Sequence, residues 1–281
     1  MSRIAYVDGQ FLTHNFAVTH IEDRATQFGD GVYEVLAVVK GKLTDIELHF
    51  DRLDRSLREL EMAMSLSRGA LKLILREVVR LNRVIEGLCY LQVSRGSAPR
   101  NHSFPNKPSY SLIVTARRSE PASGEIGMEG VRVITTADQR WRRRDIKSVS
   151  LLPNVLAKQK ATEVGAFEAW LIHNDGIVTE GSHSNAWIVD NAGTVITHHE
   201  SIDILSGVTR NRVLQVARSD GAKVIERAFT ASEAKEAREA FLTSTSSFVV
   251  PVTQIDDTVI GDGHPGPVTK RLRRLYLRTI S

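Results

Sequence analysis

The sequence predicts a mixed α and β protein made of two parts, and three observations support this prediction. The 281 residues are 42% hydrophobic and 25% charged, which is typical of a globular chain long enough for one large domain or two packed halves. Short apolar segments of strand length are interspersed with segments whose apolar residues recur at helical spacing. Residues 120–130 are rich in turn-forming residues, and their apolar residues show neither the alternation of a strand nor the spacing of a helix. We therefore expect an N-terminal α/β domain over 1–119, a linker over 120–130 and a larger C-terminal domain over 131–281.

The first domain opens with strand-like segments and continues with helices. Apolar residues at helical spacing, Ile46, Leu53, Leu57 and Leu60, predict its first helix. The expected strands are residues 4–7, 32–39, 90–94 and 110–115, and the expected helices are 46–60 and 71–81.

In the second domain, strand-like and helix-like segments alternate more often along the chain. A hairpin turn is expected at Asn174-Asp175-Gly176, because Asn, Asp and Gly tolerate turn conformations. The expected strands are residues 131–136, 169–173, 185–189, 223–227 and 240–245, and the expected helices are 154–164, 208–217, 232–237 and a terminal one from Val268. Because strands outnumber the short helices, a barrel-like mixed sheet is favoured over a doubly wound one.

Composition and motifs exclude several classes of protein. Apolar runs are only a handful of residues long, against the roughly 20 that cross a bilayer, so we expect no membrane association. The chain has no GxGxxG, P-loop or HxxxH pattern, and its single cysteine, Cys89, disfavours a thiolate metal site and forbids an intramolecular disulfide. With no secretory signal pattern at the N-terminus, we expect a cytoplasmic protein without a metal.

The charge balance points weakly towards anionic partners. The chain has 37 Lys and Arg against 33 Asp and Glu, and the densest basic cluster is Arg140–Lys147. We interpret this cluster as a solvated face or a local anion site. A basic module that binds nucleic acid through Arg140–Arg144 is the alternative from a different class.

Four segments offer chemistry that one aldehyde cofactor would need. Lys147, between a strand and a helix, can form an imine when neighbouring cations favour its neutral amine. Glu180, beside a Gly-Ser run, can face a pyridine nitrogen as an anion. The start of the helix after Gly207 presents backbone N–H groups and the Thr209 hydroxyl to a phosphate, which the hydroxyl-rich segment 243–247 can complete.

The fourth segment would bind a carboxylate. Pro99 disfavours helix for its neighbours, so Arg100 and His102 would project from the same face of an extended stretch. Taken singly, each of the four segments also has an ordinary structural explanation: a surface lysine, a turn, a helix cap and an exposed loop.

Taken together and in order, these segments resemble the aminotransferase class IV family, the pyridoxal-phosphate enzymes of fold type IV, over essentially the whole chain. Within it the sequence is most similar to the bacterial D-amino-acid transaminase branch. The matching segments are FGDGVYEV at 28–35, HFDRL at 49–53, the loop 95–102, DIKS at 145–148, NVLAKQ at 154–159, TEGS at 179–182 with Ser184 and Asn185, GVTR at 207–210 and STS at 244–246.

The resemblance implies a role for each matching residue. Lys147 would be the lysine that bonds the cofactor and moves the proton, and Glu180 would be the partner of the pyridine nitrogen. Tyr33, Arg100 and His102 would hold the substrate carboxylate. The remaining implied contacts to pyridoxal 5'-phosphate are Arg52, Ser184, Leu205, Val208, Thr209, Ser244 and Thr245.

The resemblance also implies an activity and an assembly. We expect transamination between a D-amino acid such as D-alanine and a 2-oxo acid such as 2-oxoglutarate, in a homodimer with the cofactor between a small α/β domain and a barrel-like one. A branched-chain L-amino-acid aminotransferase, an (R)-amine transaminase and an aminodeoxychorismate lyase remain alternatives within the family.

Three residues depart from the familiar bacillary members of the family. Ala37 stands where they have lysine, His183 where they have serine, and Trp187 where they have phenylalanine. We expect these departures to affect substrate preference rather than the catalytic residues.

Overall fold

The computed structural model describes residues 3–119 and 129–280, so most of the predicted linker at 120–130 lies outside the described residues. The described residues form two compact units: 3–119 with Ile146–Ser150, and 129–145 with 151–280. The boundary at 120–130 stays a prediction, but Ile146–Ser150 groups with the first unit and not with the C-terminal domain. The reason is backbone pairing, because Tyr33 N–H donates to the Lys147 carbonyl and Val149 N–H to that of Gly31, each at 3.0 Å.

The first unit has an antiparallel sheet in the order β2-β1-β6-β5-β3-β4. Its strands are β1 Ile4–Val7, β2 Gln10–Thr13, β3 Gly31–Val39, β4 Lys42–Leu43, β5 Gly87–Ser94 and β6 Ser111–Arg118. Its helices are a 3-10 turn His14–Phe16, α1 Arg24–Phe28, α2 Ile46–Glu59 and α3 Arg68–Leu81.

Helices α2 and α3 pack on this sheet because their apolar residues lie on one face. Leu53 and Leu57 of α2 and Leu71 and Leu75 of α3 are buried in one cluster with strand residues. The α3 N-terminus is capped by the Ser67 hydroxyl, which accepts from Ala70 N–H at 3.2 Å.

Strand β3 presents two different faces, and one of them breaks the usual pattern. Val32 and Leu36 are fully buried in the core, as a period of two predicts. Glu34 lies on the same core face and is also fully buried. Tyr33 and Ala37 project from the opposite face. A buried carboxylate on a core face needs partners, and those of Glu34 are Arg52 and His49.

The second unit is built on a mixed sheet in the order β12-β11-β10-β13-β14-β7-β8-β9, with β15 paired to β14. The pairs β11–β12, β14–β7 and β7–β8 are parallel and the others antiparallel. The strands are β7 Val131–Ala137, β8 Glu168–Ile172, β9 Val178–Gly181, β10 Asn185–Val189, β11 Val195–Thr197, β12 Val224–Glu226, β13 Glu239–Ser244, β14 Phe248–Ile255 and β15 Thr258–Val259. The helices are α4 Leu152–Glu163, α5 Val208–Ser219, α6 Ala231–Lys235 and α7 Pro267–Ile280.

The prediction of a mixed fold with a curled, barrel-like sheet is confirmed. The hairpin at Gly176 is also present, with its φ of +83° and its N–H bonded to the His173 carbonyl. Eight elements among the described residues were not predicted: the 3-10 turn, α1, β2, β4, β9, β11, β14 and β15. Helix α1 is too short to show a period, and β14 contains Pro251, which normally disfavours an inner strand because it cannot donate to a neighbour.

No helix among the described residues is long and apolar enough to cross a membrane. Within 3–119 and 129–280, no group of three or more His, Cys, Asp or Glu side chains is placed to hold a metal ion.

Candidate active site

Lys147 is fixed through its backbone, and its side chain is half-buried. Its N–H donates to the buried Ser56 hydroxyl of α2 at 3.3 Å, and its carbonyl accepts from Tyr33 N–H. The Nζ atom lies 4.2 Å from the centroid of the Tyr33 ring. No carboxylate among the described residues forms an ion pair with this amine. Lys147 Nζ therefore lies beside an aromatic ring without a carboxylate partner.

Tyr33 is held on the same face of the sheet as Tyr90. Their rings stack with centroids 5.6 Å apart, and the Tyr90 hydroxyl donates to Gln92 Oε1 at 2.8 Å. Burial, with a smaller contribution from Tyr33, raises the pKa of Tyr90 to about 12. The Tyr90 phenol therefore stays neutral near pH 7 and acts as a hydrogen-bond donor.

Arg52 makes a two-pronged contact with Glu34. Its Nε and Nη2 atoms donate to Oε1 and Oε2 of that carboxylate, each at 2.8 Å, and His49 Nδ1 lies 2.7 Å from Oε2. Burial alone would raise the pKa of Glu34, but Arg52 and His49 together lower it to about 2. Burial lowers the pKa of His49, so this neutral imidazole donates its Nδ1–H to the carboxylate.

The sequence prediction for Arg52 is thus incomplete. It assigned the guanidinium to a phosphate and did not foresee Glu34 as its partner. The available signal was a glutamate on the core face of an otherwise apolar strand, together with His49 and Arg52 three residues apart on one helix.

Glu180, near the end of β9, is fully enclosed by donors. Arg140 Nη1 donates to Oε1, Asn185 Nδ2 donates to Oε2 at 3.0 Å, and Leu205 N–H lies 3.1 Å from both oxygens. Burial raises the pKa of the Glu180 carboxyl above its ordinary value, and Arg140 and the Leu205 N–H oppose this shift. The structure therefore confines a basic carboxylate in a fixed orientation.

Arg140 belongs to this cluster and not to a solvated face. It also donates to Asp138 at 2.8 and 3.0 Å, and Arg144 lies 3.2 Å from the same carboxylate. Both guanidiniums are buried, and Arg143 pairs with Asp145. The interpretation of 140–147 as a solvated face is wrong for Arg140 and Arg144, because neighbouring carboxylates neutralise them within the fold. This internal pairing also weakens the nucleic-acid alternative.

The start of α5 has no side-chain cap. Gly207 precedes the helix without a side-chain cap, so the first-turn N–H groups have no side-chain acceptor from that position. A Cβ at Gly207 would stand 2.0 Å from Asn185 Oδ1, so only glycine allows this approach. Helix α5 packs against β13, which ends at Ser244, and there Ser247 N–H donates to the Ser244 hydroxyl at 3.1 Å. Thr245 next to it is half-buried.

The loop after Glu180 is fastened by a second buried carboxylate, which the sequence did not reveal. Glu168 accepts from the hydroxyls of Ser182 at 2.5 Å and Ser184 at 2.9 Å, and His183 Nδ1 lies 2.7 Å from it. Burial would raise the pKa of Glu168, but these partners, with His183 contributing most, lower it to about 2. Ser184, predicted to contact the cofactor, is thus buried and already bound to Glu168.

Trp187 on β10 is fully buried. Its indole N–H donates to the Thr243 hydroxyl at 2.9 Å, and its ring stacks on Phe241. The departure at this position therefore connects two strands of the sheet.

Arg100 and His102 lie in an exposed loop between β5 and β6, and both contact Phe28. The Arg100 guanidinium is 4.7 Å from the centroid of that ring, and the His102 ring is 5.3 Å from it. Among the described contacts of these two residues, none joins them to Tyr33 or Lys147. Phe28 is thus the contact that the two side chains share, and their common role in binding a carboxylate stays a prediction.

Comparison with known proteins identifies the family of this chain. Residues 31–255 match the family model for amino-transferase class IV. The chain is 42% identical over 278 residues to a D-alanine aminotransferase of Bacillus licheniformis, covering 97% of this chain and 95% of that protein. It is 38% identical over 275 residues to a D-alanine aminotransferase of Staphylococcus epidermidis, covering 98% and 97%.

Solved structures of branched-chain amino acid aminotransferases share the fold. The enzyme of the thermophilic archaeon Thermoproteus uzoniensis with norvaline matches with a TM-score of 0.88 at 25% identity, covering 99% of this chain and 94% of that one. The Escherichia coli enzyme matches with a TM-score of 0.93 at 21% identity, covering 100% and 95%. From the extent of the family match and the identity over nearly the whole length, this chain belongs to the amino-transferase class IV family.

Proposed function

We propose that this chain is a pyridoxal-phosphate-dependent aminotransferase that exchanges the amino group of a D-amino acid with a 2-oxo acid. With D-alanine and 2-oxoglutarate it would give pyruvate and D-glutamate. The observation that carries the chemistry is the amine of Lys147, which is anchored by its backbone and has no neutralising carboxylate among the described residues. The choice of D-amino acids rests on the near full-length similarity to D-alanine aminotransferases.

The donors and acceptors of the chain fit the cofactor. A lysine amine, a buried carboxylate with basic character and an uncapped helix start are the three groups that an aldehyde, a pyridine nitrogen and a phosphate require. Pyridoxal 5'-phosphate, when bound, supplies the aldehyde carbon and an electron-withdrawing ring that stabilises negative charge at the substrate α carbon.

Lys147 would act twice. Its Nζ would hold the cofactor, and as a free amine the same atom would take the proton from the substrate α carbon and deliver it to the carbon that the cofactor supplies. Its backbone bonds to Tyr33 and Ser56 would fix the point on the chain from which the side chain extends in both roles.

Glu180 would hold a proton on the pyridine nitrogen. A carboxylate with a raised pKa binds such a proton more strongly than an ordinary one, and Arg140 keeps the carboxylate oriented. The phosphate would be held by N–H groups and hydroxyls at the start of α5 and the end of β13, with Arg52 as a cation. The proposed cofactor contacts are Arg52, Lys147, Glu180, Ser184, Leu205, Val208, Thr209, Ser244 and Thr245.

The substrate carboxylate would be bound by Tyr33, Arg100 and His102. A phenol, a guanidinium fork and an imidazole together offer donors of the kind that a carboxylate requires. Arg100 is the strongest of the three because its fork can bind both oxygens.

We further propose that the chain works as a cytoplasmic homodimer with a small domain over 1–119 and a larger one over 131–281. Exposed apolar residues on α4 support an assembly, since Leu152, Val155 and Leu156 are each at least half exposed. Sedimentation of the purified protein at micromolar concentration tests whether it is a dimer.

A donor panel tests the activity. Purified holoenzyme should show an imine absorption band and release pyruvate from D-alanine and 2-oxoglutarate, and Lys147→Ala should lack both. Because the similar solved structures include branched-chain aminotransferases, L-leucine is the most informative alternative amino donor. Turnover of L-leucine with none of D-alanine would overturn the D-amino-acid proposal and leave the family unchanged.

A further inference from the structure

Two buried arginines in the first unit share a single carboxylate oxygen. Arg24 Nε donates to Asp30 Oδ2 at 2.7 Å and Arg95 Nε donates to the same atom at 2.8 Å. Burial raises the pKa of Asp30, but the two arginines outweigh this effect and lower it. The three side chains therefore form a charged cluster that stays ionised and fixed near pH 7.

The remaining N–H groups of Arg24 reach the loop that carries Arg100 and His102. Nη1 donates to the carbonyl of Asn101 at 2.6 Å and points to that of Ser103 at 3.4 Å, and Nη2 points to that of His102 at 3.5 Å. A guanidinium can serve a carboxylate and several carbonyls at once because it has five donors in a plane. Lysine, with one nitrogen, cannot reproduce this pattern.

The same loop rests on aromatic rings. Arg24 and Arg100 both lie 4.7 Å from the centroid of the Phe28 ring, and His102 contacts that ring as well. Further along, the Phe104 ring covers Arg95 at 3.6 Å. Phe28 is the last residue of α1, so the position of this helix decides where the two loop side chains stand.

Backbone bonds join the base of the loop to the first residue of α1 and to the segment before it. Arg24 N–H donates to the Gly96 carbonyl at 2.9 Å, and Ala98 N–H donates to that of Glu22 at 3.3 Å. Because Asp30 directly precedes β3, the Arg24 cluster links the loop to the strand that carries Tyr33.

We propose that Arg24 is a positioning residue for the substrate carboxylate. Through the carbonyls of 101–103 and the Phe28 ring, it sets the orientation of Arg100 and His102 before substrate arrives. This inference rests on the proposed function, in which those two residues bind the carboxylate. It predicts that loss of Arg24 weakens recognition of the carboxylate and leaves the chemistry at Lys147 intact.

The experiment compares ligands with and without a carboxylate. Holoenzyme with Arg24→Met or Arg24→Lys is assayed with D-alanine and with D-alaninol, the amino alcohol that lacks the carboxylate, under steady-state and single-turnover conditions. We expect KM for D-alanine to rise at least tenfold with kcat within threefold, and KM for D-alaninol to stay within twofold. Calorimetry with propionate, a carboxylate without an amine, should show a parallel rise of its Kd.

Matched variants separate positioning from general stability. Arg273→Lys changes another buried arginine that binds a backbone carbonyl, that of Val249. It should lower Tm without changing the ratio of KM for D-alanine to KM for D-alaninol. Phe28→Leu removes the aromatic support and leaves the ion pairs, so it tests the same idea if Arg24→Met does not fold. In an Arg100→Ala background, Arg24→Met should raise KM less than twofold further.

The outcomes are distinct. An unchanged ratio in a folded Arg24→Met or Phe28→Leu protein, or an equal loss for both amines, would overturn the positioning role. Failure of the wild-type enzyme with D-alanine would instead overturn the proposed function. In that case, KM would be compared between the amino acid that the enzyme does turn over and the corresponding amino alcohol, and the propionate titration would be repeated. These two measurements would still decide the role of Arg24.

Discussion

The Arg52 guanidinium donates two hydrogen bonds of 2.8 Å to the Glu34 carboxylate, which is fully buried beside the apolar core of the first unit. This contact joins helix α2 to strand β3, whose opposite face carries Tyr33. A buried pair of this kind is costly to break from one side only, because the remaining charge has no water to solvate it.

Acid should therefore destabilise the protein in a defined pH window. The folded pKa of Glu34 is about 2 against an ordinary 4.5, so its contribution is complete above pH 4.5 and is lost as the pH falls towards 2. The full contribution is about 3 kcal/mol. Urea unfolding between pH 2.5 and 6 measures it, and Glu34→Gln should flatten this part of the profile while lowering stability at pH 7. An unchanged slope in that variant would contradict the assignment.

Glu168 should control retention of the cofactor. Glu168→Gln removes the charge that holds Ser182, His183 and Ser184, so we expect the loop beside Glu180 to loosen and cofactor release to accelerate at least fivefold. His183→Ser removes one partner only and should have a smaller effect. The rate of cofactor release from both variants is measured by transfer of the cofactor to an excess of a competing apo-enzyme. The Glu163→Gln variant, changed at an exposed residue, is the control. Equal rates in all three variants would count against this role.

Arg140 should set the pH dependence of catalysis through Glu180. Arg140→Met removes the largest opposition to burial and leaves that of the Leu205 N–H, so the pKa of Glu180 rises further and the carboxylate is protonated at higher pH. We expect kcat at pH 7 to fall at least tenfold, with the acidic limb of the pH profile displaced upwards. Arg144→Met, which loses Asp138 and Asp203 but touches no Glu180 oxygen, should leave that limb in place. A uniform loss of kcat at every pH would refute this explanation.

Gly207→Ala should disturb the same carboxylate by a steric route. The new Cβ would fall 2.0 Å from Asn185 Oδ1, and Asn185 holds both Glu180 and the Leu205 carbonyl. We expect weaker cofactor binding, measured by titration of apo-enzyme. Gly69→Ala, in an open position of α3, should instead be neutral or stabilise by up to about 1 kcal/mol. Similar cofactor affinities for the two variants would show that the contact relaxes without consequence.

The sequence predicted most elements because their periods are strong. The helix from Ile46 and the strand 185–189 have patterns that tertiary packing reinforces. Helix α1 escaped prediction because its five residues depend on the Asp23 cap, which accepts from Ala25 N–H, and on Arg24 contacts with residues far along the chain.

The candidate site was predicted unevenly for a related reason. Lys147 and Glu180 belong to short matching segments, whereas their supporting residues, Arg140 and Glu168, become recognisable only through distant partners. A buried charge has no local signature when its partner lies many residues away. Arg52 shows the limit most clearly, since its residue type suggested an anion without revealing that the nearest one is a side chain of the same chain.

The pairing of Ile146–Ser150 with β3 has a consequence for synthesis on the ribosome. Tyr33 N–H and the Gly31 carbonyl receive their partners only after Lys147 and Val149 have been made, long after the other strands of that sheet. A nascent chain that stops at residue 119 therefore has the strands and helices of the first unit, but it leaves Tyr33 N–H and the Gly31 carbonyl without these partners and lacks Ile146 in its core. The backbone pairing of the first unit is therefore complete only in a chain that extends to Val149 and already contains Lys147.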